Sequence, residues 1–358
     1  MKTGRLKRKI LKIIILLVFV TGLAIFLYPY TTKWFHEQSA KKVVDEFYEE
    51  AGISQDANTG SNGEVGENVK DTDKDRDYSR SHMMNKLYED LQAYNKQIYE
   101  EGQKELKDPF SYKTSSFDLT QYGLSENVIG ILWIPRLELE LPIYMGANYD
   151  NLAKGIGLLG NTSMPLGGEN TNVVLAGHRG FRGIPMFRNI QSIQIGDKIQ
   201  ITTPWDTLVY RVTELKIVPK DSTDVIYIEE GKDRVTLLTC HPYTKNEQRY
   251  VVIAERSDEP QTTKKNDMEE AEYTESTAPQ QVQVITGDGS VIEAISSQAL
   301  TPVWGEGTEE TGGEYSNLQI WLETWAPVIG IVIVLMAIIV FCIAIKVLKK
   351  KIVEGKVK

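Results

Sequence analysis

VTLLTCHPYTKNEQRYVV, residues 235–252, is an apolar, β-branched run that ends on Cys240, crosses the connection HPYTKNEQ and resumes at Arg249. Runs of this composition read as strands. Strand alternation places Cys240 on one face with Thr236 and Leu238, and Arg249 on one face with Val251 and Ile253. A connection of this length can return the chain so that both side chains meet at one rim. The same texture continues upstream in VIGILWI, LELELPIY, NVVLAG, DKIQIT and TLVYRVTELKIV, with turn clusters such as PLGGEN and TPWD between them. Residues 128–256 are therefore expected to form an all-β barrel or sandwich.

The rest of the 358-residue chain is strongly segregated. Residues 10–28 and 326–345 are each about long enough to cross a hydrocarbon core of roughly 30 Å as a helix. The first follows a basic start, as a signal peptide does, but its apolar run is long and PYTTKWF follows in place of a small-residue cleavage site, so it reads as a retained anchor. Residues 1–9 and 346–358 are Lys/Arg-rich, which orients both termini to the cytoplasm and the remainder outside the cell. Of 40 Lys+Arg and 49 Asp+Glu, six basic residues lie in 1–12 and six in 346–358, with Glu354 the only acid there. The remainder holds 28 basic against 48 acidic residues, a poor composition for binding nucleic acid.

Between the anchor and the β region, 29–127 reads as helical and flexible. KKVVDEFYEEA places Val44, Phe47 and Tyr48 on one helical face, and MMNKLYEDLQAYNKQIYEEGQ does so for Leu87, Leu91 and Tyr94. These helices are expected to pair as a stalk or pack on the β domain. Residues 60–80, with almost no apolar side chains, read as a flexible insertion. Residues 257–325, acidic and rich in Gln, Thr and Ser, read as a disordered tether to the second span.

Cys342 falls inside that span, leaving Cys240 without an expected disulfide partner. A lone cysteine is commonly a small buried hydrophobe. His178, in VVLAGHRG, also lies just past a strand end, beside glycines that allow close approach. Cysteine, histidine and arginine at strand ends suit acyl transfer: thiolate as nucleophile, imidazole as acid and base, guanidinium as brace for an oxyanion. From spacing alone, a surface-turn histidine and a solvated edge arginine are the commoner readings of the last two. No metal or cofactor is implied, because no His/Cys cluster has ligand spacing.

TLLTC matches the TLxTC signature of sortases, the cysteine transpeptidases of Gram-positive cell surfaces, and TLLTCHPYTKNEQRYVVIAER resembles their class C, pilus-associated, branch. The resemblance continues through GILWIPRLELELPIYMGA, LLGNTSMPLGGENTNVVLAGHRG and GDKI. It implies a closed sortase-type β-barrel with short helices, and catalytic roles for His178, Cys240 and Arg249. YNKQIYEEGQKELKDPFSY resembles the class C lid at 107–112, with its Asp-Pro-aromatic motif on Asp108, Pro109 and Phe110; a helix stop followed by a loop accounts for Asp-Pro equally well. The resemblance implies an LPXTG-like sorting signal on secreted surface proteins or pilins as substrate, with a pilin lysine or a cell-wall precursor as amine acceptor. A non-catalytic tethered module with an inert cysteine is the remaining alternative. His241 departs from the Thr often found after the cysteine in this class. Successive strand residues face opposite sides, which favours His178 over His241 as the acid/base.

Overall fold

The computed structural model describes residues 31, 34–35, 37–53, 71–103, 106, 117–124, 126–181, 185–243, 247–259, 281–287 and 289–295, with 332, 335 and 339 near the C-terminus. The chain divides into two compact units, one of Met1–Phe35 with Thr311–Lys358 and one of His36–Glu310. Nearly all described residues belong to the second. No helix among the described residues is long and apolar enough to cross a membrane. The expected spans at 10–28 and 326–345 fall outside the described residues except for those three positions, and so does the lid motif at 107–112.

The described residues of the second unit form ten strands: β1 (Val128–Ile134), β2 (Leu139–Met145), β3 (Ile156–Leu158), β4 (Thr171–Ala176), β5 (Lys198–Thr202), β6 (Thr207–Pro219), β7 (Asp233–His241), β8 (Gln248–Arg256), β9 (Gln281–Ile285) and β10 (Val291–Ile295). Their order is β10-β9-β6-β5-β1-β2-β3-β4-β7-β8, and β8 pairs back onto β6, so the first eight strands close into a barrel. Most pairs are antiparallel; β2–β3 and β4–β7 are parallel, so the barrel is mixed.

Several strands are buried along their whole length, as strands covered on both faces are. Val173 and Leu175 of β4, Val235 and Leu237 of β7, and Tyr250 and Val252 of β8 belong to the main core. Their sequence neighbours Val174, Ala176, Leu238, Val251 and Ile253 belong to a second apolar cluster on the opposite side of the same strands. That cluster is covered by Leu152 of the short helix α3 (Tyr149–Lys154), by Val225 and Ile226 of a 3-10 turn, and by Leu106.

The N-terminal helices pack on the barrel. Helix α1 (37–51) buries Val44, Phe47 and Tyr48 against Val128, Ile131 and Tyr144. Helix α2 (Asp71–Glu101) buries Leu87 and Leu91 completely in the main core, about 1.5–3 kcal/mol each. Asn95 fixes its height: its Nδ2 donates to Met164 O at 3.0 Å and its Oδ1 accepts from Met164 N at 2.7 Å. At its end, Gln103 Oε1 accepts from Ile228 N at 2.7 Å and Nε2 donates to Asn161 O at 3.2 Å.

Two stretches differ from the sequence reading. Residues 71–80, expected as flexible insertion, are the first turns of α2, because extending a helix already anchored by tertiary packing needs no new nucleus. Within the expected tether, β9 and β10 form a hairpin, and β9 pairs in parallel with β6 at Lys216↔Gln283 and Ile217↔Val284. Val282 and Val284 are 1% and 2% exposed and join the main core, which offsets the polar character of the surrounding segment.

Candidate active site

β4 and β7 run in parallel toward one rim of the barrel and β8 starts from it, so three chain segments meet there. Ala176 of β4 is paired with Leu238 of β7; two residues on in each strand direction stand His178 and Cys240. The ladder continues past the formal end of β4, since Gly177 N donates to Leu238 O at 3.1 Å and Thr239 Oγ1 donates to Gly177 O at 2.8 Å. Cys240 is in turn the register partner of Arg249 across the antiparallel β7–β8 pair. His178, Cys240 and Arg249 thus occupy one row across three neighbouring strands. Their parity is that of Val174, Ala176, Leu238, Val251 and Ile253, so all three project on the side of the second apolar cluster.

Gly177 is required by crowding in this row. A Cβ there would lie 2.7 Å from Phe187 Cδ2 and 2.8 Å from Ile156 Cδ1. His178 is half-buried, its carbonyl accepts from Phe187 N at 3.0 Å, and its ring stacks on Phe181 with centroids 4.8 Å apart and planes 9° from parallel. Burial holds its pKa below the usual imidazole value, so at neutral pH it is a neutral base. Its Nε2 is buried with no hydrogen-bond partner among the described residues. Cys240 is half-buried, whereas Arg249 is 2% exposed and donates from Nη1 to Gln248 O at 3.0 Å.

His241 stands on the other side of β7. It is 2% exposed, and its Nδ1 lies 2.5 Å from Arg179 Nη1. A guanidinium only donates, so this Nδ1 accepts and the ring is the neutral Nε2–H tautomer. Burial first, and the charge of Arg179 second, push its pKa down to about 3. An imidazole in that state neither accepts a thiol proton nor faces the row of His178, Cys240 and Arg249, which leaves His178 as the candidate acid and base.

The sequence reading did not single out Arg179, Phe181 or Gln191. Their signal was weak: Arg179 is adjacent to His178, but its partners come from distant parts of the chain. Among the described residues no group of three or more His, Cys, Asp or Glu is placed to hold a metal ion. Asp108, Pro109 and Phe110 lie outside the described residues.

Comparison with known proteins gives the family. Residues 132–257 match the sortase domain family. Sortase D of Bacillus subtilis (strain 168) is 33% identical over 130 residues, which is 36% of this chain and 63% of that protein. Sortase A of Bacillus anthracis is 32% identical over 174 residues, 48% of this chain and 80% of that protein. Among solved structures, sortase C1 of Streptococcus agalactiae in complex with MTSET aligns with 33% identity and a TM-score of 0.46, over 50% of this chain and 93% of the other. Since the match spans four fifths of a relative at that identity, the chain belongs to the sortase family of cysteine transpeptidases.

Proposed function

We propose that this sortase cleaves an LPXTG-like sorting signal through Cys240 and passes the acyl group to an amine, in the class C manner a pilin lysine. The observation that carries the chemistry is the single row of His178, Cys240 and Arg249 across β4, β7 and β8. His178 takes the thiol proton as Cys240 Sγ adds to the Thr carbonyl. Arg249 donates to the oxyanion that forms there. Collapse of the tetrahedral adduct breaks the Thr–Gly bond, with the proton passing from His178 to the departing amine, and leaves a Cys240 thioester. An incoming amine then adds to the thioester carbonyl, gives up its proton to His178, and releases the thiol. The class C assignment draws on the Asp108-Pro109-Phe110 resemblance, with Asp108 as an internal carboxylate for Arg249 and Phe110 as a cover over the thiol. The topology that goes with this reading has both termini cytoplasmic, spans at 10–28 and 326–345, and the barrel outside.

Intact-mass measurement tests the first half-reaction. The chain carrying Asp108→Ala and Phe110→Ala, incubated with an LPXTG-type peptide, is expected to gain the mass of the cleaved acyl fragment, and the Cys240→Ala counterpart is not. A folded protein whose thiol alkylates but which forms no adduct across a panel of sorting peptides would count against the substrate. Covalent pilin ladders in producing cells test the acceptor; their absence despite pilin expression points to a cell-wall precursor. If the two lid substitutions leave alkylation of Cys240 no faster than in the parent, the covering role fails.

A further inference from the structure

We propose that Arg179 is a positioning residue for acyl transfer: a buried guanidinium that clamps the barrel end behind the catalytic row and holds positive charge behind Cys240. The proposal rests on the reading of Cys240 as nucleophile.

Arg179 follows His178, and strand parity turns it to the opposite side, where His241 also lies. It is 7% exposed. Nη1 donates to Cys240 O at 3.3 Å and to His241 Nδ1 at 2.5 Å, Nη2 donates to Gln191 Oε1, and the guanidinium lies 5.7 Å from the centre of the Tyr250 ring. One side chain thereby joins the segment carrying His178, the end of β7, the start of β8 and the 3-10 turn Ile190–Ser192. A planar fork does this where an ammonium would not.

No carboxylate is among its partners in the described residues. A buried cation without a counter-ion is costly, and the arrangement calls for a group nearby that becomes negative. Burial pulls the Arg179 pKa down to about 10, while Tyr250 and Cys240 pull it back up. Tyr250 is itself pushed up to about 12, chiefly by burial, and so stays neutral. The group that becomes negative is Cys240 as His178 takes its proton: Arg179 holds the Cys240 carbonyl from behind the strand, and its charge acts on the forming thiolate across the strand rather than by contact. Among the described residues, this end also holds His178 on the β4 side, His241 on β7, Arg249 on β8 and Arg188, whose guanidinium packs against Gly180 and over the Tyr243 ring at 5.5 Å. None of these is an acid, and Glu247, the acid described in the β7–β8 connection, is exposed.

The test is the pH profile of iodoacetamide alkylation of Cys240 in the full-length chain, compared with Arg179→Met and Arg179→Lys. Arg179→Met is expected to raise the midpoint by about one pH unit, hence about tenfold slower alkylation below both midpoints. A folded Arg179→Met protein whose profile overlays the parent's overturns the proposal. Should that variant fail to melt cooperatively, Arg179→Lys decides. Keeping the charge without the fork, it is expected to hold the parental midpoint and lose about tenfold or more in kcat with the peptide KM unchanged; a parental kcat overturns the clamp. Alkylation needs no sorting peptide, so absence of a thioester in the parent refutes the substrate reading while leaving this measurement intact.

Discussion

Cys240 and Arg249 face each other as register partners on adjacent antiparallel strands. Directly opposed residues in such a pair have Cα atoms about 4.5–5.5 Å apart, so the sheet itself sets the two residues side by side. Arg249→Ala is expected to lower kcat/KM for peptide cleavage by ~10²–10³, the usual loss for an oxyanion donor. Arg249→Lys should recover little of it, because an ammonium lacks the fork. Peptide cleavage assayed beside circular dichroism checks this; near-parental turnover in the alanine variant would remove Arg249 from the site.

His241 makes stability depend on acidity. Its pKa is about 3 in the folded chain and 6.5 when unperturbed, so between those values the unfolded chain binds a proton that the folded chain refuses. The contribution of neutral His241 is complete above pH 6.5 and declines by about 1.4 kcal/mol per pH unit on acidification toward pH 3. His241→Thr removes this slope along with the acceptor for Arg179. Its stability deficit in urea unfolding is therefore expected to narrow from pH 7 to pH 5, and a constant deficit would refute the assignment.

Gly177 tests how tightly the rim is packed. The Cβ of Gly177→Ala would meet Phe187 and Ile156 at 2.7 and 2.8 Å, both parts of the wall behind His178. A loss of about 1–3 kcal/mol in unfolding free energy is expected, with turnover falling further than stability alone explains because His178 is displaced. Unchanged melting and unchanged turnover would show that the wall yields.

The β9–β10 hairpin is predicted to be part of the folded domain. A soluble fragment spanning 37–257 should melt well below one spanning 37–295, since the shorter piece leaves the sites of Val282 and Val284 open at about 1.5–3 kcal/mol each. Equal melting temperatures would mean that the hairpin only rests on β6.

The barrel was legible because its strands are short apolar runs separated by turn clusters, and the apolar faces of both long helices followed from 3.6-residue spacing. The row of three candidate residues was legible from two kinds of local information, a strand end at TLLTC and another at VVLAG, joined by the resemblance. The hairpin had a local signal as well, in QVQVITGDGSVIEAI, where alternation flanks Gly-Asp-Gly; its acidic, polar setting outweighed that signal. Arg179 had only its place beside His178 as a signal, because residues 179, 191, 241 and 250 meet through closure of the barrel. A histidine beside a cysteine drew attention to His241, and only the position of Arg179 shows why that ring is buried.

The alternation of β7 also makes the site its own proof-reader. Moving β7 by one residue against β4 and β8 would send the thiol into the barrel end and bring the His241 imidazole out beside Arg249. Arg179 would then lose its acceptor, and its charge would sit beside a thiol in the wrong chamber. Burial of the core and alignment of His178, Cys240 and Arg249 are in this chain a single event: a barrel that is mis-registered loses both.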